Sequence, residues 1–295
     1  MITAEKSYDE LARVEELYRK AGQRFQAIAR ERPLLAAELF QYADVQRKAG
    51  NIPEAAHLFY ACCEQEPGNA KAKLLADRLS GLGGVTPLEM SDSPCPAPLV
   101  LRPDFLPADD KARLLDFFLS HEGEFTPAPD GCGGYDPEVR NNLELAGSRS
   151  VKQPFRERVA AALPAILQHL GIHPFPIKKI EVKLRAYRDG QYFRMHTDAI
   201  WGRRLTFTYY LCGEQKQYAG GDLLVFDTSA DGVRCSENFT RLIPRDNCLC
   251  CFPSHYFHAV TPVKAGSHDF RSERLAVNGH VSGAEETPSG EQRKK

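Results

Sequence analysis

The chain has no surplus of charge of either sign: 38 Lys and Arg stand against 39 Asp and Glu, a formal net charge of −1 over 295 residues. Binding along a phosphate backbone draws on a basic field that this balance does not supply, which disfavours a dedicated nucleic-acid protein. Also lacking is any apolar run of the roughly 18 to 20 residues that a membrane span requires, so no membrane partner is expected. The opening MITAEKSYDELARVEELYRK has no apolar core of the signal-peptide kind, which points to the cytoplasm and to nine cysteines kept as thiols. What remains is ordinary globular composition, 42% hydrophobic and 26% charged. At roughly 150 residues per domain, one large domain and a small one, or two of similar size, are expected.

Residues 1–84 are helical in pattern, with Leu11, Val14, Leu17 and Tyr18 recurring at helix spacing. Leu39, Tyr42, Ala43, Gly50, Ala55, Phe59 and Cys62, counted back from Pro67, resemble one tetratricopeptide (TPR) repeat. Small residues let two helices approach, the aromatics fill the space between hairpins, and glycine permits the turn. A plain helical cap on the main domain is the alternative. Residues 85–98, VTPLEMSDSPCPAP, are proline-rich and read as an extended linker. A second domain spans 99–282, and 283–295 read as a disordered tail.

Within the second domain, helices are expected over 105–121 and 153–170, the latter with Phe155, Val159, Leu163, Ile166 and Leu170 on one face. The period then changes to two in IEVKLRAY, followed by RLTFTYYLC, GGDLLVFD, CLCCFP, YFHAVTPV and RLAVNGHV between turn signals. Helices followed by a run of antiparallel strands make an α+β barrel or sandwich with helices on one face.

His196 and Asp198 stand two apart, so on a strand they would offer an imidazole and a carboxylate to one metal from one face. With nine histidines in the chain, such a triplet is weak alone. His258, in FPSHYFHAVTPV, adds a second imidazole from a strand that can cross back beside the first. Two His and one carboxylate leave three positions of Fe(II) open, which suits a bidentate co-substrate plus O2. Arg274 shares a strand face with Ala276 and Asn278, and its planar fork matches the far carboxylate of a dicarboxylate. Tyr210 could add a hydroxyl to that carboxylate, and Tyr187 could touch the co-substrate nearer the metal.

The ordered series AYRDGQYFRMHTD, LTFTYYLC, GGDLLVFD, CFPSHYFHAVTPV and ERLAVNGHV resembles the 2-oxoglutarate/Fe(II)-dependent dioxygenases of the prolyl 4-hydroxylase-like group, over about residues 100–282. The resemblance implies a double-stranded β-helix (jelly-roll) barrel with flanking helices, preceded here by the small all-α TPR-like domain. It implies His196, Asp198 and His258 as iron ligands, with Arg274, Tyr187 and Tyr210 binding 2-oxoglutarate. The family commonly carries its basic residue about ten positions after the distal His, whereas AGSHDFRSE intervenes here; Arg274 is preferred to Arg271.

The implied reaction is hydroxylation coupled to conversion of 2-oxoglutarate and O2 to succinate and CO2. Asp198 disfavours halogenation, because halogenating relatives have a small residue there. A residue in a peptide or protein is the expected substrate. A free amino acid or small metabolite is the alternative, and an oxidative nucleic-acid demethylase a further one. Arg140 and Arg203 are candidate substrate contacts, with Arg204 beside the latter. His255, His268 and His280 are expected to be structural or exposed, Cys248, Cys250 and Cys251 buried thiols, and Gly220-Gly221 a strand-entry turn.

Overall fold

A computed structural model describes residues 8–80, 93–129, 134–212, 216–266 and 269–284. Four helices come first: α1 (Tyr8–Glu31), α2 (Ala36–Ala49), α3 (Ile52–Gln65) and α4 (Ala70–Ser80). The α2–α3 turn depends on Gly50, whose φ of 87° lies in the left-handed region. Glycine is needed there twice over, because a Cβ would come 2.7 Å from Ile243. Leu39, Tyr42, Ala43, Ala55, Phe59 and Cys62 are all buried, as the repeat-like spacing requires. Leu17, by contrast, is 63% exposed, while its neighbour Tyr18 packs edge-on against Phe239.

After these helices come β1 (Val100–Arg102), α5 (Ala108–Ser120), β2 (Thr126–Pro127), β3 (Leu143–Leu145), α6 (Arg149–His169) and β4 (Lys179–Tyr187). The chain continues through β5 (Phe193–His196), β6 (Arg203–Leu211), β7 (Tyr218–Gly220), β8 (Leu223–Thr228) and β9 (Cys235–Leu242). It closes with β10 (Cys248–Pro253), β11 (His258–Val260), β12 (Val263–Ala265) and β13 (Arg274–Ser282). One sheet has the order β1-β10-β6-β13-β4-β3-β2, a second β5-β11-β8-β9, and β12 pairs with β7. The architecture is the mixed helix-and-sheet jelly roll that the family resemblance implied, with every pairing antiparallel.

Period-two alternation divides the central strands β4, β13 and β6 into two faces. Val182, Leu184, Phe207, Tyr209, Val277 and Val281 form one apolar cluster with Phe155, Val159, Leu163 and Ile166 of α6. Gly279 is required on that packing, since a Cβ would fall 2.2 Å from the Phe207 ring and 2.0 Å from the Glu181 carbonyl oxygen. The opposite face, carrying Tyr187, Tyr210, Arg274 and His280, looks toward the smaller sheet and holds the polar groups considered below. The α6 helix begins at Arg149, four residues ahead of the expected 153. β9 had no visible alternation because its first half is solvent-facing and only its second half is buried.

The helical layer does not have a core of its own alone. One apolar cluster runs from Tyr42, Phe59 and Leu75 through Leu99 and Tyr256 to Val225 and Phe252 inside the barrel. Arg47, 2% exposed, donates to both oxygens of Asp227 on β8 at 2.8 and 3.3 Å. The end of the proline-rich segment is also pinned, with Cys95 and Thr228 exchanging backbone hydrogen bonds at 3.1 and 3.0 Å. The rest of that segment (residues 85–92), His268 and the 285–295 part of the expected tail lie outside the described residues. Among the described residues no helix is long and apolar enough to cross a membrane, and the eight described cysteines are unpaired.

Candidate active site

His258 lies directly opposite His196 in the β5–β11 pairing, which is why residues sixty-two apart in sequence meet. Each ring is oriented by its own backbone: His196 Nδ1 sits 2.7 Å from the Arg194 carbonyl and His258 Nδ1 3.0 Å from that of Tyr256. Both Nε2 atoms are thereby left to face the interior. Phe193 stacks on His196 at a centroid distance of 3.6 Å, and Phe252 meets His258 edge-on. Burial, with His258 adding to it, pushes the His196 imidazole down to about 3, so at neutral pH it is an uncharged donor for a metal.

The expectation that one strand presents His196 and Asp198 on one face needs correction. β5 ends at His196, and Asp198 reaches the site from the following loop. There its N–H donates to the Ser254 carbonyl at 3.0 Å and its Oδ2 accepts from Thr206 at 3.0 Å. The three potential ligand atoms of His196, Asp198 and His258 lie within 4.8 Å of one another. That donor set could hold a divalent metal on one side and leave the other side free.

Beyond the triad lies a second, enclosed feature. Arg274 is fully buried and stands opposite Tyr187 in the β13–β4 register. Its guanidinium carbon is 4.4 Å from the Tyr187 ring centre and 5.3 Å from that of Tyr210. Nε donates to the Gly221 carbonyl at 2.6 Å, whereas Nη1, Nη2 and both tyrosine hydroxyls have no partner among the described residues. Four buried polar groups without partners in one place are costly unless a ligand satisfies them. A carboxylate fits: two guanidinium N–H groups and two phenols could all donate to it, which puts Tyr187 beside the Arg274 anchor rather than nearer the metal as expected. Burial holds the Tyr210 phenol well above its usual range, so it is a donor. Gly221 permits the close approach, since a Cβ there would lie 2.6 Å from Arg274 Cδ. Arg271 is exposed on a short turn and takes no part.

Of the two candidate substrate contacts, both line the chamber of about 260 Å³ above the triad. Arg140 stacks over Phe193 at 4.4 Å with its Nε on Asn142 Oδ1 at 2.7 Å. Arg203 is bound to Glu181 at 2.6 Å and lies over the Trp201 ring at 4.8 Å. Arg204 points the other way, onto Phe175. His280 was expected to be structural or exposed. It is buried and adjacent to the triad, with Nε2 3.1 Å from Asp198 Oδ2 and Nδ1 3.2 Å from Glu181 Oε2. The alternation that puts Arg274, Ala276 and Asn278 on one face predicts His280 as its next member. Lys183 and Arg185, opposite Asn278 and Ala276, follow from the same count. Cys248, Cys250 and Cys251 are buried, and burial raises the Cys250 thiol; His255 is half-buried on the turn before β11.

Residues 182–282 match the family model of the 2OG-Fe(II) oxygenase superfamily. An uncharacterized PKHD-type hydroxylase of Synechocystis sp. is 34% identical over 132 residues, covering 43% of this chain and 44% of the relative. The chain thus matches less than half the length of that relative. A PKHD-type hydroxylase of Idiomarina loihiensis is 27% identical over 176 residues, 57% of this chain and 70% of its own. The solved prolyl hydroxylase of Trichoplax adhaerens, in complex with a hypoxia inducible factor oxygen degradation domain peptide fragment, shares the fold. It superimposes with a TM-score of 0.50 at 16% identity over 74% of this chain and 95% of its own.

Proposed function

We propose that this chain is an Fe(II)- and 2-oxoglutarate-dependent dioxygenase that hydroxylates a residue in a peptide or protein, releasing succinate and CO2. The observation that carries the reading is the pairing of the His196/Asp198/His258 cluster with the unsatisfied Arg274/Tyr187/Tyr210 pocket. His196, Asp198 and His258 hold the iron, and Arg274 binds the distal carboxylate of 2-oxoglutarate with help from Tyr210 and Tyr187. Iron with 2-oxoglutarate and O2 supplies the oxidising chemistry. The protein orients both imidazoles through Arg194 and Tyr256, fixes Asp198 through Thr206 and Ser254, and excludes water from the anchor by burial. The similarity to PKHD-type hydroxylases supports hydroxylation, and the fold is one that can seat a peptide.

A free amino acid or small metabolite is the second reading, favoured by the chamber's volume of about 260 Å³, which accommodates a small acid more readily than several residues. The test is anaerobic titration of the purified chain with Fe(II) and then 2-oxoglutarate. A weak visible charge-transfer band from keto-acid chelation is expected, and it should vanish in His196→Ala and His258→Ala. An unchanged band in both variants overturns the metal assignment.

A further inference from the structure

The chamber wall carries more positive charge than its own carboxylates neutralise. Arg140, Lys183, Arg185 and Arg203 line it, against Asp198 as the lining carboxylate. Arg203 is committed to Glu181, and Asp198 to the metal cluster and His280. Arg185 is 1% exposed; its Nη1 lies 2.5 Å from Glu144 Oε2, yet its Nε has no acceptor among the described residues. Arg185 and Lys183 follow on the inward face of β4, two and four residues from Tyr187 of the Tyr187–Arg274 pair. Inward strand positions normally take apolar side chains, and cations withdrawn from water there are costly unless an anion meets them.

The three cations also act on one another. Burial and then Arg140 lower Arg185 to about 10, and burial and then Arg185 lower Lys183. Arg140 is held in place to join them: a backbone bridge ties it to Phe193, whose ring it covers, and Asn142 fixes its Nε. Glu144 and Glu181, behind the wall, offset part of this repulsion, and an anion bound in the chamber would offset more of it. The 2-oxoglutarate anchor does not serve as that site, since Arg274, Tyr187 and Tyr210 are not among the chamber's lining residues.

We propose that the primary substrate presents a carboxylate to Arg140, Lys183 and Arg185, and that this contact places its C–H bond over the open side of the metal cluster. The inference rests on the oxygenase reading of the site and names its substrate class: an acidic substrate. Arg185 offers its Nε edge to the anion, and the flanking Arg140 and Lys183 complete the neutralisation. The carboxylate is either that of a small acid or amino acid, or an acidic side chain or C-terminus of a peptide; the chemistry recognised is the same.

The chain's single tryptophan, Trp201, lines the same chamber and is 56% exposed, so its fluorescence reports occupancy without turnover. The full-length protein is loaded anaerobically with Mn(II) and saturating 2-oxoglutarate. It is then titrated in two arms: free L-amino acids and short carboxylic acids against their amides, and a peptide library rich in Asp and Glu against the same library with Asn and Gln and amidated C-termini. Acids are expected to quench or shift Trp201 with at least tenfold preference over amides in one arm, and that arm identifies the source. Lys183→Met and Arg140→Met should each weaken the acid's binding at least tenfold while leaving the affinity for 2-oxoglutarate unchanged, with folding checked by circular dichroism. Equal response to acids and amides, or no response in either arm, overturns the proposal. So does an equal loss of 2-oxoglutarate affinity in both variants, which would assign the cations to the co-substrate. Failure of the wild type to bind 2-oxoglutarate at all is read in the loading step, and it would overturn the underlying oxygenase reading instead.

Discussion

His280 Nε2 lies 3.1 Å from Asp198 Oδ2, on the same carboxylate oxygen that Thr206 approaches at 3.0 Å. This leaves Oδ1 the freer oxygen of Asp198. The other nitrogen of the ring is 3.2 Å from Glu181, which in turn holds Arg203. His280 is therefore a positioning residue, linking the carboxylate of the proposed iron site to the charged chamber wall.

Removing that link should loosen the metal. His280→Ala is expected to lower Fe(II) affinity about 10- to 100-fold, the usual effect of losing an outer partner of a ligand. His280→Gln, which retains a donor, should recover part of it. Anaerobic Fe(II) titration reads both, and wild-type affinity in His280→Ala would show that Thr206 alone orients Asp198.

Arg274→Ala should raise the 2-oxoglutarate requirement strongly while Fe(II) binding is retained, because truncating one side of a buried charged pair costs about 2–5 kcal/mol. Arg271→Ala, on the exposed turn, should leave both quantities at wild-type values. A larger defect in Arg271→Ala would mean that the register of β13 at the anchor is wrong. The readout is the concentration dependence of the keto-acid charge-transfer band.

Glu273 offers a test by pH. Burial raises its carboxyl to about 7, Arg188 opposing and Glu122 and Asp269 reinforcing the shift. Its folded-state value thus exceeds the ordinary one, so the folded chain keeps a proton that the unfolded chain has released. Stability from this group is intact below about pH 4 and falls as pH rises to about 7, by an amount of order 2 kcal/mol. Glu273→Gln should abolish this loss and be the more stable protein above pH 7. Urea midpoints from pH 4 to 8 decide it; identical pH dependence in the two proteins would contradict the assignment.

Much of this site was legible in the sequence because period-two alternation converts a strand's residue numbers into faces. RLAVNGHV carries Arg274, Asn278 and His280 by that rule, and its antiparallel partner carries Tyr187, Arg185 and Lys183. The rule failed where the chain leaves the strand: Asp198 sits in a loop, positioned by Ser254 and Thr206, which no local spacing announces. Arg140 was a candidate contact in the sequence, whereas its placement above the triad depends on a bridge to Phe193 across more than fifty residues. The repeat-like hairpin was visible in Tyr42, Gly50 and Phe59, whereas its attachment was not. Arg47 and Asp227 are 180 positions apart, and nothing in either segment alone marks them as partners.

That attachment yields the last expectation. Arg47 is 2% exposed and meets Asp227 at 2.8 Å and Asp44 at 3.0 Å. Removing the guanidinium leaves Asp227 buried without its cation, a loss of about 3–5 kcal/mol. Because the apolar cluster of α2–α4 continues into the barrel, the loss should fall on one cooperative unit. Arg47→Ala is expected to lower the melting temperature of a single transition by on the order of 10 °C. The double variant Arg47→Met/Asp227→Leu, which removes both charges and keeps volume, should recover most of the deficit. Two separate transitions, with the upper one at the wild-type position, would show instead that the helices fold apart from the barrel. They would then be free to act as an independent arm for a peptide, as the repeat-like pattern allows, rather than as a cap on the jelly roll.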